Sequence, residues 1–238
     1  MYNNNKIVCV IPARGGSKGL PGKNIKKLLD KPLIAYTIEH AKSSKYIDRV
    51  IVSTDSQDIA DVAKQYKAEV PFIRPGELAS DNSSTLDVLI HAIDWIERSE
   101  GYSFSILVLL HVTTPLRKVE DVDNCIELLV RERADNVFSV TEAHRNPYFN
   151  MVEKRDNAVR LVKEGNFITR QSASPVFDIN CSIYLWWKDI LKEKKSLFLD
   201  KTQIYIMPKE RSIDIDDLID FKIAEILLKE SISNAEVH

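Results

Sequence analysis

Cysteine, glycine and long apolar runs are all scarce in this 238-residue chain, which has 3 cysteines and 7 glycines. Cys9, Cys125 and Cys181 lie far apart and form no C-x-x-C pair. That spacing favours reduced, buried thiols over a disulfide framework or a zinc knuckle. No apolar run approaches the roughly 20 residues that span a bilayer, and the N-terminus lacks the pattern of a signal peptide. We therefore expect a cytoplasmic protein that does not bind membranes.

An excess of positive charge is also lacking, because 33 Lys and Arg residues face 35 Asp and Glu residues for a net charge of -2. The basic residues are scattered, so no broad basic face predicts nucleic-acid binding. The hydrophobic content of 44% is enough to fill a real core, which argues against disorder. A local anion site remains compatible with this composition.

Short β-rich runs alternate with amphipathic helical patterns along most of the chain. This alternation, with strands apolar throughout, predicts an α/β fold in which helices cover both faces of a mostly parallel sheet. Period-2 pieces within 144–175 predict an antiparallel insertion, and a strand and helix follow at 203–208 and 218–228. We expect an α/β domain over 1–140 and 181–230, an inserted arm over 141–180 and a flexible tail over 231–238. The predicted strands are 6–11, 49–54, 70–73, 104–110 and 136–140, and the predicted helices are 33–43, 56–66, 84–98 and 119–131.

The stretch "IPARGGSKGLPGKN" at 11–24 holds four of the seven glycines together with Arg14, Lys18 and Lys23. Glycines allow close backbone approach, so several N–H groups can point at one anion while the cations supply charge. The loop is neither a Walker A element nor G-x-G-x-x-G, because Ser17 and Asn24 occupy positions that those motifs reserve. A mere tight turn is the alternative, but the three cations favour a phosphate site.

The stretch "SIDIDD" at 212–217 places Asp214 and Asp216 in alternation, so both carboxylates face the same side of an extended segment. Mg²⁺ accepts one or two carboxylates together with substrate phosphates and water. The alternative is an acidic turn in which Asp216 or Asp217 caps a helix that starts near Leu218.

The stretch "RPGELASDNSS" at 74–84 follows the apolar run 70–73, at the edge where open parallel sheets bind ligands. Its polar groups are suited to contact a base and a ribose. Alternatively, Asp81 and Ser83 cap the helix predicted at 84–98.

Four motifs resemble, in their order and at their spacing, those of the CMP-sialic acid synthetases, also called acylneuraminate cytidylyltransferases. They span 11–24, 50–84, 113–117 ("TTPLR") and 211–225. The resemblance implies a nucleotidyltransferase fold, CTP as donor, Mg²⁺ or Mn²⁺ as cofactor, a nonulosonic acid as acceptor and a homodimer. It also implies that 141–180 is a dimerisation arm that reaches the partner's active site.

The resemblance also assigns site residues. Asp214 and Asp216 are expected to hold the metal, and Arg74, Ala79 and Ser83 the nucleoside. Lys23 or Lys18 is expected nearest the reacting phosphorus. The expected catalytic charges are Arg14, Lys18 and Lys23, and the expected triphosphate contacts are Arg14, Gly15, Ser17, Lys18, Lys23 and Asn24.

The chain departs from the family pattern on the acceptor side. His111 stands where the sialic acid enzymes carry Gln, Asp178 replaces an Arg, and Cys181-Ser182 replaces Gly-Ala, and "HRNPYFNMVE" at 144–153 resembles a legionaminic-type branch. These departures leave the identity of the sugar acid open. The candidate acceptor contacts are His111, Tyr148, Arg170 and Asn180.

The same residues are compatible with other functions. An eight-carbon 3-deoxy sugar acid is an alternative acceptor, and so is a sugar 1-phosphate, whose own phosphate Arg145 or Arg170 would suit. A non-catalytic nucleotide-binding sensor is an alternative of a different class. The intact cations and both aspartates argue against a sensor, which has no need of metal ligands.

Overall fold

The structure is a computed structural model that describes residues 1–16, 19–80, 83–165 and 174–236. A six-stranded sheet forms its centre, and two small hairpins lie outside it. The sheet consists of β1 (Ile7–Pro12), β4 (Arg49–Ser53), β5 (Ile106–Leu110), β6 (Asn136–Glu142), β9 (Phe177–Trp187) and β10 (Thr202–Ile206). The hairpins are β2 (Lys27–Leu28) with β3 (Lys31–Pro32), and β7 (Val152–Arg155) with β8 (Ala158–Leu161). The helices are α1 (Leu33–Ser43), α2 (Gln57–Gln65), α3 (Thr85–Glu100), α4 (Val119–Arg131), α5 (Lys188–Lys194) and α6 (Leu218–Glu236).

The strands lie in the order β10-β6-β9-β5-β1-β4. Strand β1 pairs in parallel with β4 and β5, and β6 pairs in parallel with β10. Only β9 runs antiparallel within this sheet, between β5 and β6. The expectation of a mostly parallel sheet is therefore confirmed.

The side chains of β1 alternate between two buried clusters, one on each face of the sheet. Ile7, Cys9 and Ile11 pack on one face with residues of α1, α2 and α4. Val8 and Val10 pack on the other face with residues of α3 and α5. Because both faces of β1 are covered, the strand reads as a continuous apolar run rather than an alternating one.

Two helix starts settle which side chains act as caps. Ser84 caps α3 by accepting a hydrogen bond from Leu86 N at 3.2 Å. At the start of α6, Asp217 Oδ1 accepts hydrogen bonds from Ile219 N at 2.7 Å and Asp220 N at 3.1 Å. Asp217 therefore satisfies the first N–H groups of α6, and Asp216 is not needed as a cap.

The structure differs most from the expected element bounds in three places. The stretch 70–73 forms a single bridge from Ile73 to Thr54 instead of a strand, because Pro71 cannot donate to a ladder. Strand β9 begins at Phe177, inside the range expected for the arm, and α6 continues to Glu236, past the expected start of the tail. Among the described residues, none of the helices has the length and apolarity needed to cross a membrane.

Candidate active site

The switch in strand order places a crevice between β1 and β5. The chain runs from β1 to β4 on one side and then crosses to β5 on the other, and ligands of open α/β sheets bind at such a point. A cavity of about 300 Å³ opens there, beyond the carboxyl ends of both strands. It brings together four predicted site residues, Arg14, Arg74, Ser83 and His111. Its other lining residues are Pro12, Leu78, Ser80, Thr85 and Val88.

The glycine-rich loop starts directly after β1 and is fixed at two points. Gly15 N donates a hydrogen bond to Asp55 Oδ1 at 2.9 Å, and Asn24 Nδ2 donates to the Arg14 carbonyl at 2.9 Å. At Gly19 a Cβ atom would lie 2.2 Å from the Asp216 carbonyl oxygen, so only glycine permits this approach. The predicted phosphate contacts Ser17 and Lys18 lie outside the described residues.

Arg74 forms a buried part of the cavity wall, with 5% of its surface exposed. Its Nη2 donates to the Ser53 carbonyl at 2.6 Å and its Nη1 to the Leu78 carbonyl at 3.3 Å. Burial lowers the pKa of Arg74, while the charge of Asp55 opposes this shift. Within the described part of the chain, its Nε–H has no hydrogen-bond partner, so the wall keeps one unused donor.

The segment that carries Ala79 and Ser83 is a short 3₁₀ turn followed by two linked serines. Ala79 N donates to the Gly76 carbonyl at 3.0 Å and closes the turn. Ser83 Oγ donates to the Glu77 carbonyl at 2.6 Å and lies 2.8 Å from Ser80 Oγ. Ser80 and Ser83 line the cavity, and Ala79 lies between the lining residues Leu78 and Ser80.

Lys23 connects the glycine-rich loop to the aspartate segment. It starts a short 3₁₀ turn after Gly22, whose positive φ of 65° favours glycine. Its Nζ donates to the Ile215 carbonyl at 2.5 Å and lies 3.7 Å from Asp216 Oδ1. Because Ile215 N donates to the Thr113 carbonyl at 2.8 Å, the segment after β5 joins the same assembly.

The two aspartates differ in their surroundings. Burial raises the pKa of Asp214; a hydrogen bond with Thr113 opposes this, and the charge of Asp216 adds to it. Asp214 Oδ1 is buried without a hydrogen-bond partner in the described part of the structure, whereas the Asp216 side chain is 81% exposed. No cluster of three potential metal ligands occurs among the described residues. A carboxylate pair with an unused buried oxygen fits Mg²⁺, which takes its other ligands from phosphate and water.

His111 lines the cavity directly after β5, and its imidazole is neutral at physiological pH. Burial lowers its pKa to about 4, and the charges of Arg117 and Lys23 add to this effect. The ring meets the Tyr184 ring edge-on, with centroids 5.6 Å apart. A neutral imidazole offers one donor and one acceptor to a polar ligand.

A bulge in β9 lies next to the aspartates. Phe138 of β6 pairs with Tyr184 and Val140 pairs with Ile179, so the four residues 180–183 of β9 lie opposite Ser139 alone. Cys181 lies in this bulge with a positive φ of 48°. Its thiol forms hydrogen bonds with Asp214 and Tyr184, and burial raises its pKa.

Tyr148 and Asn180 are not among the residues that line the cavity. Tyr148 belongs to the insertion, where Lys163 Nζ lies 3.5 Å from its hydroxyl. Asn180 is 4% exposed; it accepts a hydrogen bond from Ser139 Oγ at 2.7 Å and donates to Ser212 Oγ at 2.9 Å. The predicted acceptor contact Arg170 lies outside the described residues.

Sequence reasoning missed Arg117, which is buried at the centre of this assembly. Its position as the last residue of "TTPLR" was an available signal, but the motif does not reveal which atoms the side chain contacts. The substitution of Gly-Ala by Cys181-Ser182 was visible too, yet the bulge that places the thiol beside Asp214 was not.

Comparison with known proteins identifies the family of this chain. The family model described as cytidylyltransferase matches residues 8–234. The chain is 42% identical over 229 residues to the post-translational flagellin modification protein B of Campylobacter coli, covering 95% of this chain and 96% of that protein. It is also 42% identical over 223 residues to the CMP-N,N'-diacetyllegionaminic acid synthase of Campylobacter jejuni, covering 94% of this chain and 95% of that protein.

Among solved structures, a CMP:2-keto-3-deoxy-manno-octonic acid synthetase complexed with CTP superposes with a TM-score of 0.70. The match covers 95% of this chain and 99% of the other, at 17% identity, and so shows the fold alone. The family match extends over nearly the whole chain and confirms the resemblance that the four motifs indicated. This chain belongs to the cytidylyltransferase family of enzymes.

Proposed function

We propose that this protein transfers CMP from CTP to the anomeric hydroxyl of a nonulosonic 2-keto sugar acid. The acceptor oxygen forms a bond to the α-phosphorus, the bond from that phosphorus to the bridging oxygen breaks, and pyrophosphate leaves while the hydroxyl proton is lost to solvent. The observation that carries the proposal is the convergence at one edge of the sheet. There the cavity lined by Arg14, Arg74 and His111 lies beside the assembly of Lys23 and the aspartates.

The donor half of the reaction is assigned to two neighbouring regions. The nucleoside lies in the cavity, where Arg74 and the hydroxyls of Ser80 and Ser83 supply polar contacts. The triphosphate follows the loop from Arg14 to Asn24, with Lys23 nearest the reacting phosphorus. Preorganised charge of this kind contributes about 10²- to 10³-fold to the rate.

Asp214 and Asp216 are the residues proposed to hold a divalent cation. When bound, Mg²⁺ or Mn²⁺ neutralises charge on the triphosphate. The chain's own contribution is to hold the two carboxylates in place, through Ile215 and its hydrogen bonds with Thr113 and Lys23.

The proposed acceptor is a legionaminic-type acid, which rests on the names of the relatives and on the departures from the sialic acid pattern. We propose that His111, which lines the cavity, contacts it as a neutral donor and acceptor of hydrogen bonds. Arg170 is proposed to bind the carboxylate of the sugar acid, and Tyr148 is proposed to contact the same acid. Because both ends of the Asn180 amide are already bonded, we propose that Asn180 supports the bulge instead of contacting the sugar.

A homodimer is proposed on the apolar surface around the insertion. Met151 of the insertion, Phe198 and Ile204 of the edge strand β10 line one groove and are 39%, 70% and 37% exposed. Exposed apolar groups of this kind mark protein interfaces. Light scattering on Phe198→Asp tests it: the variant should lose dimer, whereas Ile219→Asp, at a 67% exposed position on α6, should not. A monomeric wild-type protein contradicts the dimer.

Steady-state release of pyrophosphate from CTP tests the function. We expect turnover with N,N'-diacetyllegionaminic acid, slower turnover with N-acetylneuraminic acid, and none with a sugar 1-phosphate. Faster turnover of N-acetylneuraminic acid would reject the legionaminic assignment and keep the reaction class. Preference for an eight-carbon acid or a sugar phosphate would move the protein to the alternative acceptor. A protein that binds CTP and never releases pyrophosphate would be a sensor.

A further inference from the structure

Arg117 is buried to 1% exposure, and its guanidinium binds three separate segments. Nε donates to Ser182 Oγ in the β9 bulge at 2.9 Å, and Nη1 donates to Thr37 Oγ1 of α1 at 3.1 Å. Nη2 donates to Thr114 Oγ1 and to the carbonyl oxygen of His111, both in the segment after β5. One planar side chain therefore fixes the distance between α1, the bulge and residues 111–114.

No carboxylate forms an ion pair with Arg117 among the residues that the structure describes. Burial lowers its pKa to about 10, so the side chain stays charged at neutral pH. Every oxygen that it binds is neutral. The desolvation cost of a buried charge offsets much of what its hydrogen bonds contribute to stability, so we attribute the presence of Arg117 to orientation.

The segment that Arg117 holds leads directly to the aspartates. The Thr113 carbonyl accepts a hydrogen bond from Ile215 N at 2.8 Å, and the Ile215 carbonyl accepts one from Lys23 Nζ at 2.5 Å. Displacing residues 111–114 would therefore move His111 and the backbone between Asp214 and Asp216 together. Such a displacement should affect the nucleoside pocket less, because Arg74 is held by the Ser53 and Leu78 carbonyls.

We propose that Arg117 is a positioning residue that sets His111 and, through Thr113 and Ile215, the two aspartates in their places. This inference rests on the proposed function for its catalytic consequence. The coupling of Arg117 to the aspartate segment can be measured without the acceptor, through the binding of CTP with and without Mn²⁺.

The experiment compares Arg117→Met, Arg117→Lys and Ser182→Ala with Asn136→Ala as a matched control. Asn136 is also fully buried and forms two hydrogen bonds: it donates to the Leu197 carbonyl at 2.6 Å and accepts from Thr202 Oγ1 at 2.7 Å. Unlike Arg117, it lies far from the proposed site along its strand, at the amino end of β6. Calorimetry gives the affinity for CTP in EDTA and in Mn²⁺, and urea unfolding gives the stability of each variant. Pyrophosphate release gives kcat.

In wild type, Mn²⁺ should tighten CTP binding. The Mn²⁺ gain is the ratio of CTP affinity in Mn²⁺ to that in EDTA. Arg117→Met should reduce this gain at least fivefold and lower kcat about 50-fold, while CTP affinity in EDTA stays within threefold of wild type. Arg117→Lys should lie between, because Lys keeps the charge and loses the planar fork. Ser182→Ala, which removes only the bond to the bulge, should show a smaller effect in the same direction. Asn136→Ala should lose stability and keep both the gain and kcat within twofold.

An unchanged Mn²⁺ gain in folded Arg117→Met would overturn the proposal, and so would equal changes in Arg117→Met and Asn136→Ala. A wild-type protein without any Mn²⁺ gain would overturn it as well. If Arg117→Met does not fold, Arg117→Lys and Ser182→Ala decide by the same criterion. Wild-type protein that turns over no sugar acid would count against the proposed function, while the binding measurements would still test Arg117.

Discussion

Lys23 Nζ lies 2.5 Å from the carbonyl oxygen of Ile215 and 3.7 Å from Asp216 Oδ1. Lys23 therefore contacts the aspartate segment directly, although 192 positions separate it from Ile215 in sequence. The Lys23 side chain is 11% exposed, so its ammonium group is held in place. An exposed lysine elsewhere in the chain cannot take the place of a cation that is fixed beside a carboxylate in this way.

Lys23→Met should reduce pyrophosphate release about 10²-fold or more, because the substitution keeps the aliphatic stem and removes the charge. Lys27→Met is the matched control, since Lys27 is exposed in the short strand β2. Its activity should stay within twofold of wild type. Equal activity of Lys23→Met and Lys27→Met would remove Lys23 from the reaction.

Asp216→Asn should abolish metal-dependent turnover and leave CTP binding in EDTA measurable. Asp217→Asn is the control next to it in sequence, because Asn retains the ability to cap α6 that Asp217 provides. Activity should therefore depend on Asp216 and not on Asp217. Titration of Mn²⁺ into both variants checks the prediction, and identical Mn²⁺ requirements in the two variants would refute it.

Gly19→Ala should lower kcat about 10²-fold, because a Cβ atom 2.2 Å from the Asp216 carbonyl forces the loop or the aspartate segment to shift. Gly16→Ala adds the same methyl group in the same loop, where nothing lies within 4 Å of the new atom. We expect a smaller loss of turnover for Gly16→Ala than for Gly19→Ala, because the new methyl group contacts no protein atom and can disturb only the proposed path of the triphosphate. Both variants should unfold at similar urea concentrations, which separates an effect on the site from an effect on the fold.

The free energy of unfolding of Cys181→Gly should exceed that of Cys181→Ala by about 1 kcal/mol. The residue has a φ of 48°, where glycine is unstrained and a side chain is not. Both variants lose the thiol, so their difference reports the backbone alone. Urea denaturation provides the measurement, and an equal or lower stability of the glycine variant would show that the bulge is not strained.

The pH dependence of stability should carry the signature of His111. Its pKa is lowered to about 4 in the folded state, so below the ordinary value of 6.5 the unfolded chain binds a proton that the folded chain does not. Stability is therefore lost as pH falls from about 6.5 to 4. His111→Gln should lose less stability over this range than wild type, whereas His144→Gln, at an exposed position, should behave as wild type. Parallel curves for all three proteins would contradict this assignment.

Local patterns predicted much of this molecule because they depend on neighbours in sequence. The apolar run at 6–11 and the alternation of elements identified the sheet, and the crowding of glycine near Lys23 identified a loop that closely approaches the aspartate segment. The stretch 70–73 misled because its apolar residues imitate a strand, while Pro71 prevents a continuous ladder.

Side-chain directions set by distant partners were beyond prediction. Asn180 faces Ser139 and Ser212 because the β9 bulge turns it, and a bulge has no signature in the run of residues that forms it. The hydrogen-bond partners of Arg117 include Thr37, 80 positions before it, and Ser182, 65 positions after it. A short stretch of sequence around Arg117 therefore cannot reveal what its side chain contacts.

The reversed direction of β9 has a consequence for how this architecture tolerates change. In a sheet of parallel strands, an antiparallel member presents its first residues, not its last, at the edge where ligands bind. The segment between β6 and β9 therefore leaves and re-enters the sheet at the edge where the cavity opens. Lengthening or shortening the segment that joins β6 to β9 would leave the paired strands in register, so its length can change without disturbing the sheet.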